Sequence, residues 1–427
     1  MTDKYVEQIL EKKGKYIMPC IYHFYKTPMV LTRGKMQYLF DHKGKKYLDM
    51  YSGVSVNNVG HANPFITEKV IKQLETLGHT TTIYLTEPII NLAEKLAEVT
   101  PDNLKRTFFV NSGTEANEGA LLLASLYKGN SEFIAMTRGL HGRSKLTMSI
   151  TGLSFWRTDT NPVGGISFIK SPYCYRCHLT YPDCDLTCAD DLEQVIQTQT
   201  SGEPAAFIAE PVQSNGGIIT PPKEYFTKIK EILDRHGILL IFDEVQTGFG
   251  RTGRFFASEH FNVAPHIMTI AKALGNGLPI GAFITTDEIS RYYTRPGGST
   301  TGGNPVSSTA GLAVITYLKE NELPAKAERT GHYFKEKLLE IKERFPIIGD
   351  IRGLGLMLGA ELVKQDKEPD PETTDRVLEK MKDRGFLIGK TGIDRNVLTF
   401  IPPLIIEHDD IDSVCDSLAI VLDDISS

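Results

Sequence analysis

From about residue 65 to residue 290 the chain alternates short apolar runs with amphipathic stretches. The runs TFFVN (107–111), FIAMT (133–137), AAFIA (205–209), ILLIF (238–242) and HIMTI (266–270) are predominantly apolar. Runs of that length without alternation read as strands buried on both faces. Between them lie segments of helical period. Over 224–235, Phe226, Ile229, Ile232 and Leu233 share one helix face, and Gly237 follows as a stop signal. Strand–helix alternation of this kind predicts an α/β protein with a mostly parallel sheet. Upstream, MQYLF (36–40) and KYLDM (46–50) flank His42-Lys43-Gly44, which reads as a β-hairpin. After about residue 310 the pattern becomes a mixture of helix and strand. The expected organisation is a large domain over 66–310 and a smaller α+β domain built from 1–65 and 311–427.

Composition narrows the partners more than the fold. At 427 residues, two packed domains are the expectation. Lys plus Arg is 47 against 53 for Asp plus Glu, a net charge of −6, so neither a nucleic acid nor an anionic membrane is an expected partner. No apolar run is long enough to span a bilayer. The N-terminus MTDKYVEQILEKKGK lacks a basic-then-apolar leader pattern, which makes the cytoplasm the expected compartment.

Polar residues break the apolar scaffold just after the predicted strands, where parallel sheets bind their ligands. Ser112-Gly113-Thr114-Glu115-Ala116-Asn117 opens a helix whose free N–H groups suit a phosphate. Ser112 with Glu115 is also a capping box, so an ordinary capped helix accounts for the segment equally well. Leu140-His141-Gly142-Arg143 follows the second strand, and a lone histidine there is more often structural. Glu210-Pro211-Val212-Gln213 and Asp243-Glu244-Val245-Gln246 each place a carboxylate at the end of a buried strand. Such a carboxylate needs a cation, either a neighbouring Arg or Lys or a protonated pyridine nitrogen. Lys272, in Ala271-Lys272-Ala273-Leu274-Gly275, stands at the end of the fifth run; a desolvated lysine can form a Schiff base, although most lysines are solvated surface groups. A phosphate cradle, a buried acid and a strand-end lysine on one sheet rim are the three parts a pyridoxal-phosphate (PLP) site requires.

The motifs SGTEAN, HGR, AEPVQ, FDEVQTGFGRTG, AKALGNGLPIGA, GGNP and RGLGLMLGAEL occur in this order from about Leu39 to Leu404. In them the chain resembles the class III (ω-type) aminotransferases, PLP enzymes of fold type I. The resemblance implies a mostly parallel seven-stranded sheet. It implies that Lys272 carries the cofactor and later shuttles a proton, that Asp243 pairs with the ring nitrogen, and that Val245 packs on the ring. Gln246 would bind the phenolic oxygen, while Ser112, Gly113 and Thr114 hold the phosphate beside Leu140 and His141. Thr300 would reach the phosphate of a neighbouring subunit, which implies a homodimer with shared sites. Glu210 would lie near the substrate, with Tyr22 and Tyr84 as pocket residues; Arg352 would be structural. The implied reaction moves an amino group from a β-alanine, GABA, taurine or diamine type donor to pyruvate or 2-oxoglutarate. A PLP racemase, decarboxylase or phospho-lyase is the alternative, and a non-catalytic regulator or dinucleotide binder is disfavoured by the intact lysine.

Two positions depart from the family pattern. Leu140 stands where an aromatic residue usually stacks on the cofactor. Thr399, in LTFIPPL, stands where an arginine usually grips the substrate α-carboxylate, so another cation such as Arg143 or Arg395 takes that role or the substrates differ. Separately, Cys174, Cys177, Cys184 and Cys188 crowd one loop. A structural zinc, reduced thiols and disulfides are the alternatives there, in that order. Cys20 and Cys415 are expected to be isolated buried thiols.

Overall fold

The computed structural model describes residues 3–101 and 103–426. At its centre is a seven-stranded sheet in the spatial order Arg106–Val110, Gly281–Thr285, Ile267–Ile270, Leu239–Asp243, Ala206–Ala209, Phe133–Met136, Ile166–Ile169. Gly281–Thr285 runs antiparallel to both its neighbours, and every other pair is parallel. All five apolar runs became strands of this sheet. Ile166–Ile169 and Gly281–Thr285 escape the sequence pattern, because one is a four-residue run behind Gly164-Gly165 and the other is embedded among the glycine and proline of LPIGA.

Alternation along Leu239–Asp243 distributes its side chains to two cores. Leu240 and Phe242 join the helix Tyr225–His236, with the rings of Phe226 and Phe242 4.9 Å apart. Leu239 and Ile241 join the helix Gly113–Lys128 through Ala120, Leu121 and Ala124. With both faces covered, the strand ends are the places left for polar chemistry.

Residues distant in sequence share the outer sheets. The hairpin strands Tyr38–Asp41 and Lys46–Asp49 turn at Gly44, whose φ of +80° only glycine adopts freely, and Asp41 Oδ1 accepts the Lys43 and Lys45 N–H groups at 2.9 Å. Lys46–Asp49 then pairs in parallel with Phe386–Leu387. A second sheet contains Ile348–Leu354, Met357–Leu362, Val397–Phe400 and Gly389–Thr391. Arg251 bolts these parts to the segment after Asp243. Its fully buried guanidinium donates to Leu356 O (2.9 Å), Pro402 O (2.6 Å), Ser52 Oγ (3.2 Å) and Asn58 Oδ1 (2.6 Å). Burial lowers its pKa to about 9.

The cysteine-rich loop is a clasp rather than the expected zinc site. All four of its cysteines are free, Cys174 and Cys177 exposed and Cys184 and Cys188 half-buried. Among the described residues no group of three or more His, Cys, Asp or Glu is arranged to hold a metal ion. What the loop grips is protein: Tyr173 and Arg176 bind Glu361, and Lys367 Nζ donates to Tyr175 O at 3.2 Å. Arg352 is part of the same network through Tyr173, Asp350 and Glu361, and has the structural place expected of it. Cys415 is buried, whereas Cys20 is exposed, contrary to expectation, because its segment packs on no core. Among the described residues no helix is long and apolar enough to cross a membrane.

Candidate active site

A cavity of about 430 Å³ opens at the carboxyl ends of the central strands. Asp243, last residue of its strand, is 3% exposed and held by three donors. Asn117 Nδ2 and His141 Nδ1 donate to its Oδ2 at 2.7 and 2.9 Å, and the Val245 N–H donates to Oδ1 at 3.1 Å. Asn117 is itself pinned, giving its second Nδ2 hydrogen to His141 O at 2.7 Å and accepting from Thr269 Oγ1 at 2.6 Å. The carboxylate therefore has one fixed orientation.

Ser112 caps the helix that begins at Gly113, its hydroxyl accepting the Glu115 N–H at 3.2 Å. A Cβ on Gly113 would lie 2.8 Å from Val245 Cγ1, so the glycine lets the start of the helix and the Val245 side chain approach closely. Thr114 accepts the Arg143 N–H at 3.3 Å, joining this corner to the 140–143 loop. Gln246 accepts from Ser214 Oγ at 3.0 Å, and among the described residues its Nε2 has no protein partner.

Lys272 lies in the cavity wall with a left-handed φ of +46°. Loss of water lowers its ammonium pKa to about 8, against the opposing pull of Asp243 and Glu210. Its Nζ makes no hydrogen bond or ion pair among the described residues. Glu210 is 4% exposed and accepts the Leu140 N–H at 2.8 Å and the Ser214 N–H at 3.2 Å. Burial pushes its carboxyl up to about 7, and the charge of Asp243 adds to the rise. An amine of reduced basicity thus shares a chamber with one fixed carboxylate and one that changes charge near neutrality.

Residues 22–422 match the family described as Aminotransferase class-III. The chain belongs to the class-III aminotransferases. It is 41% identical over 420 residues to "Alanine--glyoxylate aminotransferase 2 homolog 2, mitochondrial" of Arabidopsis thaliana, covering 98% of this chain and 87% of the relative. It is 37% identical over 431 residues to the leucine/methionine racemase of Thermococcus litoralis, covering 98% and 96%. The solved structure of a Bacillus anthracis aminotransferase superposes with a TM-score of 0.92 at 33% identity, covering 99% of this chain and all of that one.

Class-III aminotransferases are PLP enzymes, and the residues of this cavity fit that cofactor. They offer an immobilised anion for a pyridinium nitrogen, an amine of lowered pKa for an aldehyde, and a helix N-terminus for a phosphate. The structure brings Ser112, Gly113, Thr114, Leu140, His141, Arg143, Glu210, Asp243, Val245, Gln246 and Lys272 together in the lining of this cavity. It leaves four other candidates outside. Thr300 is exposed, and Tyr22 and Tyr84 are 46% and 66% exposed beyond the lining. Thr399 is fully buried on Val397–Phe400, bonded to Thr391 Oγ1 at 2.8 Å instead of facing the cavity.

Sequence reasoning missed Asn117, Trp156 and Ser214. Asn117 carried a readable signal, an amide on the otherwise apolar face of its helix beside Ala116 and Ala120. Trp156, the only tryptophan of the chain, lines the cavity from a short loop helix, Ser154–Trp156, that no periodicity announces.

Proposed function

We propose that this aminotransferase moves the amino group of an ω-amino acid or related amine, of the β-alanine, GABA or taurine type, to pyruvate or 2-oxoglutarate. The observation that carries this reading is Thr399. It occupies the position where the family resemblance expects an arginine for an α-carboxylate, and its hydroxyl is spent on Thr391. A donor with amine and carboxylate on one carbon lacks its bidentate partner there, whereas an unbranched terminal amine needs none at that spot.

Bound PLP supplies an electron sink for the carbon that loses its proton. In this reading Lys272 would hold the cofactor through its aldehyde, and its amine is the group placed to carry a proton at the donor's terminal carbon. Asp243, pinned by Asn117 and His141, holds the ring nitrogen charged. Val245 and Leu140 enclose the ring, Gln246 uses its free Nε2 on the phenolic oxygen, and Ser112, Gly113 and Thr114 take the phosphate. Glu210, with its pKa near 7, accommodates donor and acceptor in turn. Thr300, exposed on one chain, reaches the phosphate of a second copy in a homodimer. The exposed apolar side chains of Ile83, Tyr84, Leu85 and Ile90 support such an interface.

Steady-state assays test the reading, with β-alanine, 4-aminobutanoate, taurine and L-alanine as donors. The expected result is parallel, ping-pong lines, with the ω-donors ahead of L-alanine in kcat/KM. Donor alone should shift the cofactor's absorbance without an acceptor. Interconversion of amino-acid enantiomers with no net amino transfer would replace this reading with a racemase like the Thermococcus relative.

A further inference from the structure

The turn that carries Ser214 is held at its base and at its tip. Gln213 and Ile219 exchange backbone hydrogen bonds at 3.0 and 3.1 Å, and Ser214 O accepts the Gly217 and Ile218 N–H groups at 3.0 and 3.1 Å. From outside, Arg352 donates to Gly217 O through Nε and Nη2 at 2.8 and 2.6 Å, and the Gly392 N–H donates to Asn215 O at 3.0 Å. Gly216 packs so closely that a Cβ there would lie 2.7 Å from Arg138 O. These contacts fix where the turn delivers its side chains.

What it delivers is a buried hydroxyl with a single partner. Ser214 Oγ donates to Gln246 Oε1 at 3.0 Å and makes no other hydrogen bond among the described residues. A primary amide can turn either its oxygen or its nitrogen toward a hydroxyl. With the oxygen toward Ser214, the hydroxyl hydrogen is used, and the end of the amide that Gln246 offers to the cavity it lines is the Nε2 donor. With the amide reversed, Nε2 would bind Ser214 Oγ, the hydroxyl hydrogen would be buried without an acceptor, and a carbonyl would face the cavity. That arrangement is disfavoured by about tenfold, because a buried unpaired donor costs its full desolvation. The same residue also reaches the carboxylate beside it: the Ser214 N–H donates to Glu210 Oε2 at 3.2 Å.

We infer that Ser214 is a positioning residue, whose hydroxyl fixes the Gln246 amide so that this wall offers the cavity a hydrogen-bond donor instead of an acceptor. The feature it selects is an oxygen carrying negative charge, such as the ionised phenolic oxygen of the cofactor. The inference rests on the assignment of Gln246 to that oxygen and deepens it.

The test titrates the apoprotein of wild type, Ser214→Ala, Gln246→Leu and the double variant with pyridoxal phosphate and with 3-deoxypyridoxal phosphate, which lacks the phenolic oxygen. Ser214→Ala is expected to weaken pyridoxal phosphate about tenfold and to leave the 3-deoxy compound within about twofold. Gln246→Leu should show the same selectivity, and adding Ser214→Ala to it should cost nothing further, because the hydroxyl acts through the amide. A second readout is the absorbance of the pyridoxal phosphate-loaded protein against pH. Its midpoint should move up by about one unit in Ser214→Ala, since a phenolic oxygen without a donor holds its shared proton more tightly. Equal weakening of the two ligands by Ser214→Ala, a midpoint that stays in place, or a full additional loss in the double variant would overturn the role of Ser214. If Gln246→Leu is selective and Ser214→Ala is not, the assignment of Gln246 stands and the inference about Ser214 falls. If Gln246→Leu weakens both ligands equally, both fall together.

Discussion

Asn117 and Asp243, 126 residues apart in sequence, are joined by a 2.7 Å hydrogen bond in the buried wall of the cavity. The amide does no chemistry, but it decides which way the carboxylate points. Asn117→Ala removes that bond and the one to His141 O together. A buried hydrogen bond to a charged group is worth about 1.5–3 kcal/mol. The variant is expected to lose about tenfold to a hundredfold in kcat/KM, with weaker cofactor retention, in a protein whose circular dichroism is unchanged.

The Gly113–Val245 approach predicts a loss with a built-in rescue. Gly113→Ala forces a Cβ to within 2.8 Å of Val245 Cγ1, so either the Val245 side chain or the helix start must shift. Cofactor affinity measured by titration of the apoprotein is expected to fall about tenfold or more. Val245→Ala removes the opposing methyls, and the double variant should regain part of the affinity.

Lys272 gives a pH signature to the cofactor-free protein. Its lowered pKa of about 8 means that the neutral, nucleophilic amine becomes the major form above pH 8. The rate of cofactor capture in stopped-flow absorbance should climb through pH 8 and then level off. The folded pKa lies below the unfolded value of 10.5, so between 8 and 10.5 the unfolded chain binds more protons and this group's contribution to stability rises with pH. Lys272→Ala should abolish that component and reduce amino transfer by about a thousandfold.

Arg251 predicts a structural failure away from the chemistry. Replacing it with Met leaves Leu356 O, Pro402 O and Asn58 Oδ1 buried without their donor. The cost is expected to be about 3 kcal/mol, read as a lower midpoint in chemical denaturation.

The central sheet was legible because burial on both faces writes a strand as an uninterrupted apolar run, as in ILLIF. The polar wall of the cavity was legible for a related reason: Asp243, Glu210 and Lys272 are ionisable groups placed where the pattern demands apolar residues. The edge of the site was harder to read. Thr399 belongs to the family's substrate motif, yet its short hydroxyl finds Thr391 across the strand pair and leaves the chamber. Trp156 and Ser214 sit on irregular turns, where neither period nor capping marks a side chain's destination. The cysteine spacing suggested a metal because spacing ignores orientation; the loop is organised by Glu361, more than 170 residues later, and no local pattern could announce that.

The left-handed backbone at Lys272 has a consequence for evolution in the laboratory. On conformational grounds alone glycine suits that position better, by about 1 kcal/mol, and it would also spare the protein the partial desolvation of an amine in the cavity wall. A library screened only for heat resistance should therefore drift toward an inert residue at 272, and a selection scheme for this scaffold has to reward turnover to keep the one side chain the resting fold would rather discard.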